Sequence, residues 1–362
     1  MYAVSFNSIP PNQKEKAAFN PYLNELGLDE NLWDVYEAFI KTPSKHSKPG
    51  ILRITCNGAP AGIIFLIKCM NYGETLSPWH PIHSVVRISR IPIYVWMKSA
   101  TATENFANPG FINPEIKGFS IEQMIRLVRK KIPFLFIHDL RANASQYPNS
   151  VVIEYPDDGV IETKKYETEK DYLSEHKNLK KKTRYYQKMG GRIDIIKGRL
   201  SGALRENIRK SLLSTGARSV FKLPYQDNYP TMGVSSACID NERIIHFICR
   251  NHEHFFGYHT FIQFKNKMCC MNGAFNRELS STHHAYENMI YRTVEYSTNE
   301  GIQEIHYGPV LNETKKRMMG RFIPTRLYLC TSISLLARIA GPLLKHTRLQ
   351  SHKMSEFANI GQ

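Results

Sequence analysis

A chain of 362 residues, 42% of them hydrophobic, exceeds one ordinary domain and can bury a sizeable core; this excludes disorder as its overall state and points to two domains or two halves sharing a sheet. Its 48 lysines and arginines against 32 acids leave a formal net charge of +16, a field that favours polyanionic partners such as the phosphates of coenzyme A, an acidic carrier protein, tRNA or an anionic membrane surface. The seven cysteines are odd in number, form no CxxC pair and fall mostly in apolar runs, which argues for free thiols in a reducing compartment.

The first residues, Met1-Tyr2-Ala3-Val4-Ser5-Phe6, carry neither a cationic region nor an apolar stretch of signal-peptide length. No run reaches the ~18 apolar residues that span a bilayer, so a cytoplasmic protein is expected. Residues 31–40 have helical spacing, with Leu32, Tyr36, Phe39 and Ile40 on one face, and the prolines and cations of 41–50 predict a loop. Residues 51–56 and 61–70 read as strands joined at Asn57-Gly58, a strong hairpin signal, with further strands at 84–88 and 93–97. Ser120 is placed to cap Gln123 and open a helix whose apolar face is Ile121, Met124, Ile125 and Val128. Arg129-Lys130-Lys131 suit its negative pole, and Pro133 starts a strand at 134–138. Pro156-Asp157-Asp158-Gly159 marks the boundary between an N-terminal half, 1–158, and a C-terminal half, 159–330, followed by a basic amphipathic tail, 331–362.

In the second half, Tyr172, His176, Leu179, Thr183 and Tyr186 predict one helix ended by Gly190-Gly191, with Lys177, Lys180, Lys181, Lys182, Arg184 and Lys188 on its other faces. A strand at 193–196 and a helix carrying Leu204, Ile208 and Leu212 follow. Four strands, 233–240, 244–250, 255–264 and 268–275, are separated by turn formers at hairpin length and read as a meander. Tyr286, Met289, Ile290, Thr293, Val294 and Ser297 then define a helix ended by Gly301, before a strand at 302–307 and a loop at 312–320 that carries Lys315. The tail, 331–362, has the pattern of a segment lying on anionic lipid, against the domain or in a partner's groove.

Meander, helix, strand and lysine-bearing loop, with Glu300-Gly301, Ile305-His306-Tyr307-Gly308, Thr314-Lys315, Gly320 and Pro324, resemble the second half of GNAT-type N-acyltransferases. The branch in view has two tandem halves and includes the peptidoglycan aminoacyl (Fem-type) transferases and the acyltransferases of exopolysaccharide clusters. The resemblance implies an α/β (α+β) fold of two GNAT-like halves, with mixed, mainly antiparallel sheets flanked by helices. It implies transfer of an acyl group from a thioester co-substrate, acyl-CoA or acyl carrier protein, to an amine or hydroxyl on a small-molecule or envelope-precursor acceptor. No permanently bound cofactor is implied. Aminoacyl-tRNA is the alternative donor within the fold. The alternative from another class is a nonenzymatic binder of nucleic acid or anionic membrane.

Acyl transfer needs a positioned, deprotonated nucleophile, a donor for the oxyanion and a proton for the leaving group. By the resemblance, the donor pyrophosphate falls where the last meander strand meets the helix. Asn272, Arg277, Ser280, Ser281 and Thr282 are the binding candidates there, with Asn312 in the later loop. The stretch carries no Arg-x-x-Gly-x-Gly/Ala motif, and a plain Ser/Thr helix cap explains the same hydroxyls. The catalytic candidates are Tyr307 as proton donor to the leaving thiolate, His283 as base with Glu287 one turn on as its orienter, and Lys315 as a cation for donor phosphate or acceptor carboxylate. A solvated ion pair accounts equally for His283 and Glu287. Tyr258 and His259 fall on opposite strand faces, so one must face whatever the sheet covers. His252 and His254 lack a partner at ligand spacing, and no metal is expected.

Overall fold

The computed structural model describes residues 1–41, 47–69, 93–96, 110–132, 134–139, 150–176, 178–218, 234–310 and 313–331. The strand expected at 84–88, Lys177, Asn312 and the tail beyond 331 lie outside these residues. In chain order, β1 (Tyr2–Asn7) precedes α1 (Gln13–Glu25) and α2 (Asn31–Ile40), and β2 (Ser47–Cys56) and β3 (Ala59–Cys69) form a hairpin. Next come β4 (Ile93–Trp96), β5 (Phe111–Ile112), α3 (Ile121–Lys131), β6 (Phe134–Asp139) and β7 (Ser150–Ile161). The second half holds α4 (Glu169–Glu175), α5 (Leu179–Lys188), β8 (Arg192–Lys197), α6 (Gly202–Arg218), β9 (Ile244–Arg250), β10 (Phe255–Phe264) and β11 (Lys267–Phe275). It closes with α7 (Arg277–Thr282), α8 (Ala285–Asn299), β12 (Glu304–Pro309), α9 (Glu313–Met318) and β13 (Arg321–Thr331).

Local signals form as the sequence expects. Asn57 and Gly58 both take positive φ, +49° and +81°, as a two-residue hairpin with the strands' twist requires. Ser120 Oγ accepts from the Gln123 amide at 3.2 Å and opens α3, which buries Ile121, Met124, Ile125 and Val128. Gly301 ends α8 at φ +68°.

Described strands join in one sheet ordered β1-β2-β3-β4-β6-β13-β7-β12-β11-β10-β9-β8, with β5 on β3. Two neighbouring pairs are parallel, β4–β6 and β11–β12. Each is bridged by a helix, α3 in the first half and α8 in the second. The halves therefore repeat a strand–helix–parallel strand unit, and they interlock because β13 comes from the end of the chain to sit between β6 and β7. They also share a core. Trp33 and Tyr36 of α2 pack with Phe65 of β3 and, in the same cluster, with Ile262, Phe264, Cys269 and Met271 of the second half. Tyr36 and Phe65 stack at 3.6 Å.

Residues 156–159 run inside β7, and Asp158 is fully buried between β12 and β13, because sheet pairing on both sides overrides the turn propensity of Asp-Asp-Gly. Several expectations are corrected. The first of the four meander strands is a helical turn at 234–236, and β8 is the fourth strand instead, paired with β9. The helix expected through Tyr172 to Tyr186 is two helices, α4 and α5, broken where His176 takes ψ 72°, and strand β2 begins at Ser47, inside the expected loop. The 312–320 loop contains a helix, α9. No described helix is long and apolar enough to cross a membrane.

Candidate active site

β11 and β12 have nine and six residues, yet they share only the pairs Lys267–Glu304, Met268–Ile305 and Cys269–His306. Beyond Cys269 and His306 the ladder stops, and the sheet loses its pairing where α8 begins. A bulge in β11 sets which side chains face this region. Thr260 stands opposite Asn272 and Phe261 opposite Cys270, so Met271 is the extra residue. Cys270 consequently packs on the α8 side, whereas Met271 and Ala274 join clusters on the other side.

On the α8 side, His259 of β10 pairs in register with Gly273 of β11. A Cβ on Gly273 would stand 2.1 Å from His259 Cδ2, so the imidazole lies directly over the glycine. From the far side of β11, Tyr307 of β12 meets the same ring at a centroid distance of 5.7 Å. Phe261, Phe275 and Tyr286 make edge contacts with His259 at 5.8, 5.2 and 5.7 Å. His259 and Tyr307 are 6% and 4% exposed, and neither His259 Nδ1 nor Tyr307 Oη has a hydrogen-bond partner. The Thr293 hydroxyl lies beside Tyr307 but donates to the Met289 carbonyl at 2.8 Å. Gly273→Ala is expected to lower stability by ~1–3 kcal/mol through overpacking against His259, read as a lower urea midpoint with an unchanged m value.

Burial, and secondarily the Lys315 charge, pushes His259 down to about 3, so its imidazole is neutral at physiological pH. Burial pushes the Cys270 thiol up to about 12, against a smaller opposing effect of Lys315, and raises the Tyr307 phenol well above its ordinary value. Lys315 is buried, and its ammonium donates to the carbonyls of Tyr307 (2.7 Å) and Gly308 (3.1 Å). Desolvation lowers it to about 8, with Cys270 and Asp158 acting in the opposite direction. Lys315 is thus a buried tie between α9 and the end of β12, its ammonium committed to two backbone carbonyls.

The remaining sequence candidates scatter. His283 Nδ1 donates to its own helix, at the Leu279 carbonyl (2.8 Å), and the ring stacks on Phe256 at 4.8 Å. Glu287 pairs with Lys182 of α5 at 2.6 Å, with His284 Nδ1 4.0 Å away, so His283 and Glu287 do not form the expected pair. The cause is His284, whose left-handed φ of +53° breaks the helix between them. Asn272 is buried on the opposite sheet face, where its Nδ2 donates to Ser236 Oγ at 3.1 Å. Asn276 caps α7 by accepting from the Leu279 amide at 3.3 Å, so neither serine nor threonine is the cap. Ser280 is buried, whereas Ser281 and Thr282 are exposed. Arg277 opens α7, its side chain outside the described set, as is all of Asn312. By contrast α8 starts without any side-chain cap. Among the described residues no group of three or more His, Cys, Asp or Glu is placed to hold a metal ion.

The sequence does not say which of Tyr258 and His259 faces α8, and it shows neither the role of Gly273 nor the burial of Asp158. Strand alternation was the available signal for His259; for the other two, only the pairing partner reveals the role.

Together the paired crossovers, the opened β11–β12 ladder and the helix that starts beside it define a GNAT-like fold in two halves. The chain has the fold of L-PGS from Bacillus licheniformis, at 8% identity over 93% of this chain and 98% of that one, with a TM-score of 0.53. The C-terminal DUF2156 domain of a protein named a lysylphosphatidylglycerol synthetase, from Agrobacterium fabrum, is similar at 8% identity, covering 90% and 96%, with a TM-score of 0.50. FemX aligns at 10% identity over 89% and 96%, with a TM-score of 0.46. No family model and no curated protein sequence matches the chain.

Proposed function

We propose that this protein is an acyltransferase that moves an acyl group from an activated carboxyl donor to an amine or hydroxyl acceptor. The observation that carries the reading is the early end of the β11–β12 ladder, which opens the sheet beside the buried Tyr307, in a region whose upper edge is the uncapped start of α8. Free first-turn amides and the helix dipole suit the anionic part of a donor. Burial keeps Tyr307 protonated at neutral pH, as a proton donor must be. In the transfer step the acceptor nitrogen or oxygen bonds to the donor carbonyl carbon and the bond to the leaving sulfur or oxygen breaks. Tyr307 gives its proton to that leaving atom and recovers one from the acceptor, so the protein ends unchanged.

An acyl thioester of coenzyme A or a carrier protein is the donor under this reading, and a small molecule or envelope precursor is the acceptor. Aminoacyl-tRNA is the second reading, favoured by α5. That helix contains no acid, exposes Lys180, Lys181, Arg184 and Lys188, and meets the start of α8 through Lys182–Glu287 and a Tyr185–His284 ring contact at 5.9 Å.

Melting shifts at two salt concentrations, against coenzyme A, short and long acyl-coenzyme A, an acylated carrier protein and bulk tRNA, decide between them. A shift that depends on acyl chain length and persists in salt supports the thioester donor. A shift with tRNA alone that survives salt moves the assignment to aminoacyl transfer. Shifts with every polyanion that vanish in salt sink both and leave a polyanion binder. With the donor in hand, Tyr307→Phe is expected to lower turnover by about 10²- to 10⁴-fold at unchanged melting temperature.

A further inference from the structure

Helix α5 has a charge pattern that its own stability does not explain. Lys180 and Lys181 stand in its first turn, at the positive pole of the helix dipole, and no acid occurs between Glu175 and Asp194. Lys180 and Arg184, and again Arg184 and Lys188, are like charges four residues apart, an arrangement that weakens a helix. Packing on the opposite side holds α5 in place. Leu179 and Tyr186 are buried, the Tyr186 hydroxyl donates to the Arg192 carbonyl at 2.8 Å, and Lys182 pairs with Glu287. Lys180, Lys181, Arg184 and Lys188 are exposed, and among the described residues none of them has an acidic partner.

Beside these cations lie two large apolar side chains that the fold leaves in solvent. Tyr185 and Met189, one turn apart, are 41% and 44% exposed, and Tyr185 meets His284 at the start of α8 in an edge contact. We propose that this face of α5 rests on an anionic lipid surface, with the four cations among the headgroup phosphates and the Tyr185 ring and Met189 thioether at the acyl boundary. Lysine and arginine stems lie along such a boundary while their charges stay among the headgroups. Charge complementarity by itself would admit RNA as well. The exposed methionine beside the tyrosine selects lipid, because a phosphate backbone offers it no apolar surface to bury against. This surface goes beyond the acyl-transfer reading and does not depend on it. Because α5 meets α8 through Lys182 and Glu287, docking brings the uncapped start of α8 close to the bilayer.

The test sediments full-length protein with vesicles of phosphatidylcholine alone and of phosphatidylcholine with about one third phosphatidylserine. Binding is expected to the anionic vesicles only, and the triple variant Lys181→Ala, Arg184→Ala, Lys188→Ala should weaken it by about 10²-fold. The same variant should melt no lower than wild type, since it relieves like-charge repulsion. A lower melting temperature would show that the fold needs these charges and overturn the inference. So would vesicle binding that shows no preference for anionic lipid, or that the triple variant leaves intact, because another part of the chain then carries it. Tyr185→Ser with Met189→Ser should weaken vesicle binding by about tenfold, and more than it weakens binding of bulk tRNA. An equal or greater effect on tRNA gives the face to RNA. None of these readouts involves turnover, so the acyl-transfer reading stands or falls separately.

Discussion

Lys315→Ala is expected to destabilise the protein by ~2–5 kcal/mol, because it empties a buried site and removes the donor from two backbone carbonyls at once, while Asp158 loses a favourable charge. A loss of this size separates the buried tie from a surface cation, whose removal costs well under ~1 kcal/mol. The double variant Lys315→Met with Asp158→Asn should lose clearly less than the sum of its parts, as a thermodynamic cycle from urea melts would show. Additive losses would sink the coupling. Lys315 also sets an alkaline signature. Its folded value of about 8 lies below the ordinary 10.5, so between these the folded state holds fewer protons than the unfolded chain. Wild type should therefore gain stability relative to Lys315→Met as pH rises through this window. Tyr307→Phe, which leaves these bonds intact, is the safer probe of activity.

Acid should unfold the protein steeply. His246 and His259 are held neutral by burial, down to about 4 and about 3, while their unfolded values are near 6.5. His246 is fixed by Thr260 Oγ1 and the Gly198 carbonyl, both at 2.9 Å. Both folded values are depressed, so the stability they contribute is complete above about pH 6.5 and drains away as pH falls and the unfolded chain takes up two extra protons. The slope should approach ~2.7 kcal/mol per pH unit near pH 5. Glu304, lowered to about 2 chiefly by its hydrogen bond to His306, adds a loss of the same sign below about pH 4.5. Urea midpoints at pH 7, 6 and 5 measure the effect, and His259→Phe should lower the slope by up to ~1.4 kcal/mol per pH unit. A flat profile between pH 7 and 5 would show that these imidazoles are not held neutral.

The fold was legible mainly through element order. Three of the four expected meander strands, β9, β10 and β11, then α8 with its terminal Gly301 and a strand through Tyr307, follow in the order the sequence puts them, and they suffice to suggest a GNAT-like second half. Site chemistry was less legible. Tyr307 lies in the opened region, whereas His283, Glu287, Asn272 and Lys315 are each committed elsewhere.

What the sequence determines by itself is therefore local: the Asn57-Gly58 hairpin, the Ser120 cap, the apolar faces of α2, α3 and α8 and the Gly301 terminus. Each follows from steric or hydrogen-bonding preferences spanning a few residues. Only the tertiary structure decides that β13 is inserted between β6 and β7, that Asp158 lies inside a strand, that Met271 forms a bulge and that Lys315 turns inward. These depend on partners far away in the chain, and a one-residue bulge reverses which side chains meet the helix. Period-two alternation cannot reveal such a shift before the pairing exists.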